Sequence, residues 1–394
     1  MMRSAQLLLT PERAAVFSRN STTEGAHKTL LGPPGGALLG WAAAGGRYDD
    51  FKGAAWTIFH SGRVRFSNAT PLTDNGEPAW PAPQILTYPK TGPKAFVDGR
   101  LNQAADVRIG RPNDDTKQRE VMKGLLSASF KTVRTTTGGR LRTALERGAA
   151  APGRLFGYAH IEPGEDTLYA AAIEADDGAL SDLEWRTLVA AFDGKVLSLG
   201  RGAGTSYGGG YACEARDGEG LDLWPRGRCA QADGKRVRVW ALSDCALLDE
   251  RGMPTFRPTS EALGLPNGGI LDERESAISA RRYAPWNRTL KGRDLDRQVI
   301  EAGSVFTFRY ANGVPWDSDG PGSVGLWREA GLGRIWVSPP FLKPEFGDLL
   351  VRSGEEVPRY ASSAKNSTVI EHERMDRAHR ELKGWLGLEE ARHG

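Results

Sequence analysis

Cysteine and histidine are both scarce in this chain of 394 residues. The three cysteines, Cys213, Cys229 and Cys245, are odd in number and widely spaced. Such a set fits neither a disulfide framework nor the paired cysteine ligands of a zinc site. The six histidines include no metal-ligand spacing such as H-E-x-x-H. The sequence therefore predicts a reduced protein without a metal or another cofactor.

Long apolar runs and a large charge of one sign are also missing. No segment approaches the roughly 20 apolar residues of a membrane-spanning helix. The apolar stretch from Ala5 to Leu9 is too short for the core of a signal peptide. The net charge is only +3, with 26% charged residues, which argues against wholesale disorder and would confine any nucleic-acid binding to one groove. We expect a soluble, cytoplasmic protein.

Two stretches of the chain share one predicted order of elements. Without insertions, residues 1–216 follow the order β-α-β-β-α-β that is typical of a ferredoxin-like domain. Residues 236–345 follow a looser version of the same order. The sequence thus predicts an α+β fold of tandem ferredoxin-like (RRM-like) domains with glycine-rich loops. A polar tail with a surface helix from Val369 to Trp385 is predicted for residues 346–394.

Local signals define several elements of the first predicted domain. The clearest helix is Ser181–Phe192, because Glu184 lies three residues after Ser181 and completes a capping box. A strand is predicted at Lys195–Leu199. The runs Ala55–Phe59 and Arg63–Phe66 flank a His-Ser-Gly turn and predict a hairpin of two strands.

A basic insertion interrupts this domain at about residues 99–150. Lysine and arginine outnumber acidic residues there and large apolar residues are few, so we expect a poor core. The insertion is either a solvated surface segment or a basic finger along nucleic acid. In the second case Arg134, Arg140 and Arg142 are candidate contacts.

Glycine is abundant, at 49 residues, and it gathers in loops beside strand-like runs. The segment 200–210 lacks the Gly-Lys-Ser/Thr ending of a nucleotide P-loop, and its Tyr-Gly-Gly-Gly-Tyr end cannot begin a helix as a dinucleotide fingerprint requires. Its amide groups could form an anion nest beside a phosphodiester, with charge from Arg201 and base stacking by Tyr207 and Tyr211. The alternative is a glycine-rich β-bulge.

Two further glycine segments are weaker signals. Residues 331–334 (GLGR) occupy the equivalent place in the second predicted domain, where a Gly-x-Gly turn before a buried strand is also common. Residues 32–36 precede a predicted helix at Ala37–Ala44, and serve either as a plain helix cap or as a helix N-terminus facing phosphate.

Catalytic patterns are less well supported. His27 and His60 could act as general acid and base in a metal-independent ribonuclease. His160, between strand residues, is better explained as a satisfied edge residue, and His372 and His379 as surface residues of the tail. No Gly-x-Ser-x-Gly elbow or serine, histidine and aspartate set is recognisable.

Four segments, in order along the chain, resemble those of the CRISPR RAMP superfamily. They are 31–42 (LGPPGGALLGWA), 59–69 (FHSGRVRFSNA), 155–164 (LFGYAHIEPG) and 301–308 (EAGSVFTF). The two glycine loops, after the helix from Ser181 and before the last predicted strand, match the positions of such loops in that superfamily. The resemblance covers about residues 1–345 without the basic insertion.

This resemblance is greatest to the subunit that caps the 5′ end of the guide RNA in type III effectors, in particular the type III-D form. It implies tandem RRM-like domains and non-catalytic binding of the crRNA 5′ handle. It also implies contact with the large polymerase-like subunit and with the backbone RAMP subunits, with the insertion acting as a thumb.

The residues predicted on this basis to contact the RNA handle belong to the glycine segments and the insertion. They are Gly35, Gly36, Arg140, Arg201, Gly202, Gly204, Tyr207, Gly209, Gly333 and Arg334. Two alternatives remain: the ribonuclease using His27 or His60, which would process crRNA precursors, and a backbone subunit that cleaves target RNA through a loop aspartate. Candidates for that aspartate are Asp106, Asp114 and Asp115.

Overall fold

The computed structural model describes most of the chain up to residue 342. The described ranges are 2–19, 25–45, 47–97, 100–102, 105–110, 118–146, 149–164, 167–201, 209–218, 223, 235–287, 289–313, 322–339 and 341–342. Of the strand residues 25–27, 100–101, 140–146 and 149–156, only the backbone is described. The described residues pack as one compact unit. None of their helices is long and apolar enough to span a membrane.

Strands dominate and helices are few, so the fold is α+β. The first elements are β1 (Arg3–Pro11), β2 (Gly25–His27), α1 (Gly35–Ala43), α2 (Arg47–Asp50), α3 (Ala55–Phe59), β3 (Val64–Phe66), β4 (Thr70–Pro71), β5 (Ala79–Pro81), β6 (Leu86–Pro89) and β7 (Phe96–Val97). The next are β8 (Arg100–Leu101), β9 (Arg108–Ile109), β10 (Arg119–Val121), β11 (Leu125–Ser127), β12 (Thr132–Val133), β13 (Thr137–Glu146), β14 (Ala149–Ile161), β15 (Tyr169–Ala175), α4 (Asp182–Ala190), β16 (Lys195–Leu199) and β17 (Gly209–Asp217).

The remaining strands belong to the second half of the chain. They are β18 (Arg236–Ala241), β19 (Leu247–Leu248), β20 (Pro254–Thr255), β21 (Ile270–Leu271), β22 (Ala280–Tyr283), β23 (Trp286–Asn287), β24 (Gly292–Arg293), β25 (Arg297–Ile300), β26 (Val305–Arg309) and β27 (Ile335–Val337). Short 3₁₀ turns lie at Lys52–Ala54, Glu261–Leu263 and Arg328–Ala330.

The first sheet has the strand order β16-β17-β1-β15-β3, with β4 also paired to β15. All neighbouring strands are antiparallel. Helices α1 and α4 pack on one face, where Leu38 and Leu188 join a core with Leu7 and Ile173. Ser181 caps α4, and its side chain and Glu184 form the predicted capping box.

The second sheet repeats part of this order with shorter elements. Its strands run β21-β26-β18-β27 and are all antiparallel. Strands β27, β18, β26 and β21 follow one another there as β17, β1, β15 and β3 do in the first sheet, and the first sheet has β16 and β4 in addition. In the first half, α1 and α4 lie in two of the connections between these strands. The corresponding connections of the second half contain 3₁₀ turns instead, at Glu261–Leu263 and Arg328–Ala330.

The basic insertion contributes to a core, and the expectation that it would not is wrong. Val107, Met122, Leu126 and Phe130 are buried with Trp80, Trp240, Trp336, Phe341 and other residues in one apolar cluster. Trp240 and Trp336 stack with ring centroids 6.0 Å apart, and the Trp240 indole donates to the Pro81 carbonyl at 3.1 Å. Trp240, Trp336 and Phe341 lie more than 100 positions away in sequence from the insertion residues they meet, so local composition does not indicate this core.

One predicted strand is a helix. Residues Ala55–Phe59 form α3, because Ala55, Ile58 and Phe59 face the core at helical spacing. The predicted strand Lys195–Leu199 is confirmed as β16. The predicted tail helix at 369–385 lies outside the described residues, and the predicted domain bounds stay predictions.

Candidate nucleic-acid interface

Both ends of the first glycine loop are fixed against the segment that follows β1. The amide of Arg201 donates to the Val16 carbonyl at 2.9 Å. Gly200 has φ +95°, and a Cβ there would lie 2.9 Å from the same carbonyl oxygen. At the other end, a Cβ on Gly209 would lie 2.6 Å from the Cβ of Ala15. These glycines are therefore required by close packing at the base of the loop.

The Arg201 side chain is exposed and lies beside the long β13–β14 hairpin. Its guanidinium carbon is 5.0 Å from the centroid of the Tyr158 ring in β14, a cation–π distance. The backbone of Arg140 pairs directly opposite Tyr158. The fold thus brings the base of the glycine loop together with the strand that carries Arg140. Gly202, Gly204 and Tyr207 lie outside the described residues.

This arrangement has the chemistry that single-stranded RNA requires. An exposed guanidinium can pair with a phosphate, and the tyrosine beneath it holds that group in place while presenting an aromatic surface. Tyr158 was not singled out from the sequence, although it lies inside the segment 155–164 that carries part of the family resemblance. Tyr211, by contrast, is fully buried, and burial raises the pKa of its hydroxyl.

The second glycine loop packs inside the protein. Gly331 and Gly333 have φ +85° and +81°, the left-handed region that favours glycine. A Cβ on Gly333 would lie 1.8 Å from the Val324 carbonyl oxygen, and one on Gly331 would lie 2.7 Å from the Phe66 carbonyl oxygen. The loop therefore needs glycine for its own turn and for its approach to β3.

The start of α1 meets this same loop. A Cβ on Gly35 would lie 2.0 Å from the Phe66 carbonyl oxygen and 2.9 Å from that of Ala330. The Gly35 amide donates to Oδ1 of Asn68 at 2.8 Å. Gly36 is exposed, and the atom nearest to an added Cβ would be the Ala330 Cβ, at 3.6 Å. The glycine segments 32–36 and 331–334, which are far apart in the sequence, thus meet in one contact between the first and second halves of the chain.

Arg334 is an internal side chain at this contact. It pairs with Glu174 of the central strand β15, and its amide donates to Oγ of Ser243 at 2.8 Å. Glu174 also lies 3.6 Å from Nε of Arg65, whose Nη1 is 2.7 Å from Asp176. Burial lowers the pKa of Arg334, and the charge of Glu174 opposes that shift. In this position the guanidinium is engaged by the protein itself.

The candidate histidines differ in environment. His160 is buried, and its Nε2 lies 2.6 Å from Glu162. Its strand, β14, is the middle strand of the sheet β13-β14-β2, so the expected edge position is wrong. His60 is exposed, with Nε2 3.3 Å from the Tyr48 hydroxyl. His27 lies in β2, and its side chain is outside the described residues.

The loop aspartates give no open carboxylate among the described residues. Asp106 lies 2.7 Å from Nε of Arg108 and 3.0 Å from Nη1 of the buried Arg119. Burial raises the pKa of Asp106, but the bonds from the two arginines outweigh it and hold the pKa below its ordinary value. Asp114 and Asp115 lie outside the described residues. No group of three or more metal-ligating side chains occurs in the described part of the chain.

No known protein-family profile matches the chain, and no curated protein matches it. Among solved structures, a chain of the type III-B Cmr-β complex bound to cognate target RNA aligns with 10% identity and a TM-score of 0.41, over 77% of this chain and 86% of that one. CRISPR-associated protein Cas6 aligns with 10% identity and a TM-score of 0.32, over 85% and 98%. Cmr4 from Pyrococcus furiosus aligns with 9% identity and a TM-score of 0.26, over 56% and 100%. These TM-scores lie below 0.5, so the likenesses do not define a family for the chain.

Proposed function

We propose that the chain is a non-catalytic RNA-binding subunit of a type III CRISPR effector ribonucleoprotein in the cytoplasm. In this role it holds the 5′ handle of the crRNA and bridges the large polymerase-like subunit to the backbone RAMP subunits. The family resemblance of the four ordered segments, together with the strand order of the two sheets, supports this proposal. The order β17-β1-β15-β3 within the first sheet and β27-β18-β26-β21 in the second supports the proposed tandem RRM-like arrangement.

The observation that carries the proposal is the exposed Arg201 guanidinium over the Tyr158 ring. It lies where the first glycine loop leaves β16, beside the paired strands β13 and β14, the first of which includes Arg140. A subunit that holds the same handle on every guide needs backbone contacts and stacking rather than a reactive centre. Arg334 is largely enclosed and pairs with Glu174, so it is not among the proposed RNA contacts.

The first test is to purify the chain from cells that express its neighbouring genes, then sequence the bound RNA and count subunits. We expect short RNAs that share one 5′ handle, with one copy of this chain per RNA. A chain that is RNA-free even at low salt would contradict the proposal.

The second test addresses the site directly. Arg201→Ala should weaken crRNA binding and reduce the slope of log affinity against log salt by ~0.7, the value for one phosphate contact on a single strand. Arg186→Ala is the matched control, because Arg186 is an exposed arginine on α4. Equal affinity and slope for the Arg201 variant and wild type would remove Arg201 from the RNA path.

A second candidate function is metal-independent cleavage of crRNA precursors, which the exposed His60 and its contact with Tyr48 favour. His60→Ala should then abolish cleavage of a repeat hairpin while leaving hairpin binding intact. An intact cleavage rate in the His60 variant, or no cleavage by the wild type, would reject this function and leave the capping role unaffected.

A further inference from the structure

A tryptophan is displayed on the surface of α3 in a way that packing does not explain. The core-facing side chains of α3 are Ala55, Ile58 and Phe59. Trp56 points away from them and is 67% exposed. Burying an indole of this size would be favourable, but a singly exposed apolar side chain is common on protein surfaces, so the groups around Trp56 decide whether it can hold a ligand.

Trp56 belongs to a small aromatic surface. The ring centroids of Trp56 and His60 lie 5.0 Å apart with a 31° angle between the planes. Tyr48 adds an edge-on contact to His60, at 5.8 Å and 64°. Tyr48 is itself held by stacking on the buried Phe59, with centroids 5.2 Å apart. One turn of helix and one buried ring therefore fix three aromatic groups at the surface.

Charge near this surface is mixed. Lys52 is exposed one turn before Trp56. Gly62 follows the end of α3, and the side chain of Arg328 lies close to it. Asp49 and Asp50 are exposed on α2. With these carboxylates close by in sequence, the surface can neutralise few phosphates, so stacking must supply most of its affinity. Stacking on an aromatic platform is tolerant of sequence because every base has a π-face.

We propose that Trp56, with His60 and Tyr48 beside it, is a stacking site for one unpaired base of single-stranded RNA. The site is separate from the Arg201–Tyr158 contact, and it rests on the proposed function only for the identity of its ligand. Lys52 contributes one cation to the phosphate next to the stacked base.

The test uses the full chain and a fluorescein-labelled, unstructured RNA of eight adenosines, with anisotropy as the readout. Trp56→Ala should weaken binding about thirtyfold, the middle of the range for the loss of one stacked base. Trp56→Phe should retain most of the affinity, whereas Trp56→Leu, which is apolar but not aromatic, should behave like the alanine variant. Trp286→Ala is the matched control. Trp286 is 69% exposed on the β23–β24 strand pair, and no aromatic contact is described for it, so this variant should bind like wild type.

A second readout keeps the proposal testable if a variant is unstable. RNA containing 5-bromouridine, crosslinked to the wild-type chain by light, should be recovered on the peptide that contains Trp56.

The outcomes of these measurements separate the stacking site from the proposed function. Loss of RNA binding in Arg201→Ala but not in Trp56→Ala, with no crosslink at Trp56, overturns the stacking site alone. No RNA binding by the wild type overturns both. Normal RNA binding by Trp56→Ala with loss of a co-purified subunit overturns it in favour of a protein contact.

Discussion

Arg334 and Glu174, 160 positions apart in the chain, form an ion pair that joins the two halves of the protein. Arg334 follows the second glycine loop, and Glu174 lies on β15 near the middle of the first sheet. The Glu174 side chain is only 2% exposed. A buried pair of this kind contributes little over an apolar pair, but removing one partner leaves an uncompensated charge.

We therefore expect Glu174→Gln to lower the free energy of unfolding by about 3 kcal/mol or more, because it leaves Arg65 and Arg334 close together without their shared carboxylate. Chemical denaturation measures this. Glu214→Gln is the control, since its pair with Arg216 is largely exposed and is worth less than about 1 kcal/mol. The double variant Glu174→Gln/Arg334→Met should be less unstable than the sum of its single changes. Strict additivity would contradict a direct coupling of the two charges.

The adjacent residues Gly35 and Gly36 should respond differently to alanine. In Gly35→Ala, the added Cβ would meet the Phe66 carbonyl oxygen at 2.0 Å, and relieving that overlap should cost about 2 kcal/mol. In Gly36→Ala, the nearest atom is 3.6 Å away, and alanine is the better helix former by up to about 1 kcal/mol. Thermal unfolding of the two variants measures the difference.

The same pair of variants also tests the predicted RNA role of the α1 start. A contact of the exposed Gly36 with the handle would appear as weaker RNA binding in a variant of normal stability. Equal stability of the two variants would contradict the close packing of α1 against the second glycine loop.

Local sequence signals predicted what local physics determines. Ser181 and Glu184 cap α4 as expected, and the run Lys195–Leu199 forms its strand. The apolar run Ala55–Phe59 is short, and at that length a strand and a helix bury similar side chains. Only its packing against the sheet selects the helix.

Long-range packing accounts for the features that were not predicted. The glycines at 331 and 333 resemble a phosphate loop in sequence, yet the backbones they approach belong to Phe66 and Val324. From the sequence Arg334 is predicted to bind RNA, but in the fold it is largely enclosed and pairs with Glu174. The site at Arg201 could be predicted in part, because its glycine loop is local. Tyr158 could not, because it comes from a strand about 40 positions earlier.

The cysteines that the structure describes should be unreactive in the native protein. Cys213 and Cys245 are buried, and burial raises the pKa of the Cys213 thiol to about 12 and that of Cys245 in the same direction. Because the thiolate is the reactive form, a Cys229→Ser variant should take up almost no iodoacetamide until it is unfolded. Mass spectrometry should then show two labels in denaturant. Rapid labelling of the native variant would contradict the burial of both thiols.

Glu329 and Glu184 should give opposite pH dependences of stability. Burial raises the pKa of Glu329 above its ordinary value of 4.5, although the positive charges of Arg297 and Arg328 oppose the shift. The folded state then holds the Glu329 proton where the unfolded chain has lost it, so this group's contribution to stability falls as pH rises from about 4.5. The free energy of unfolding of Glu329→Gln should therefore rise relative to that of wild type as pH increases from about 4.5. This gain should level off above the raised pKa of Glu329.

The pKa of Glu184 is lowered by hydrogen bonds from the backbone and side chain of Ser181. Its contribution is present above pH 4.5 and is lost as pH falls through the lowered pKa. Glu184→Gln should therefore lose stability relative to wild type as pH rises towards 4.5, the reverse of the Glu329 variant. Urea denaturation of the three proteins between pH 3 and 8 measures both slopes. Slopes of the same sign would contradict the raised pKa of the partly buried Glu329, whereas opposite slopes would agree with a raised pKa for Glu329 and a lowered pKa for Glu184.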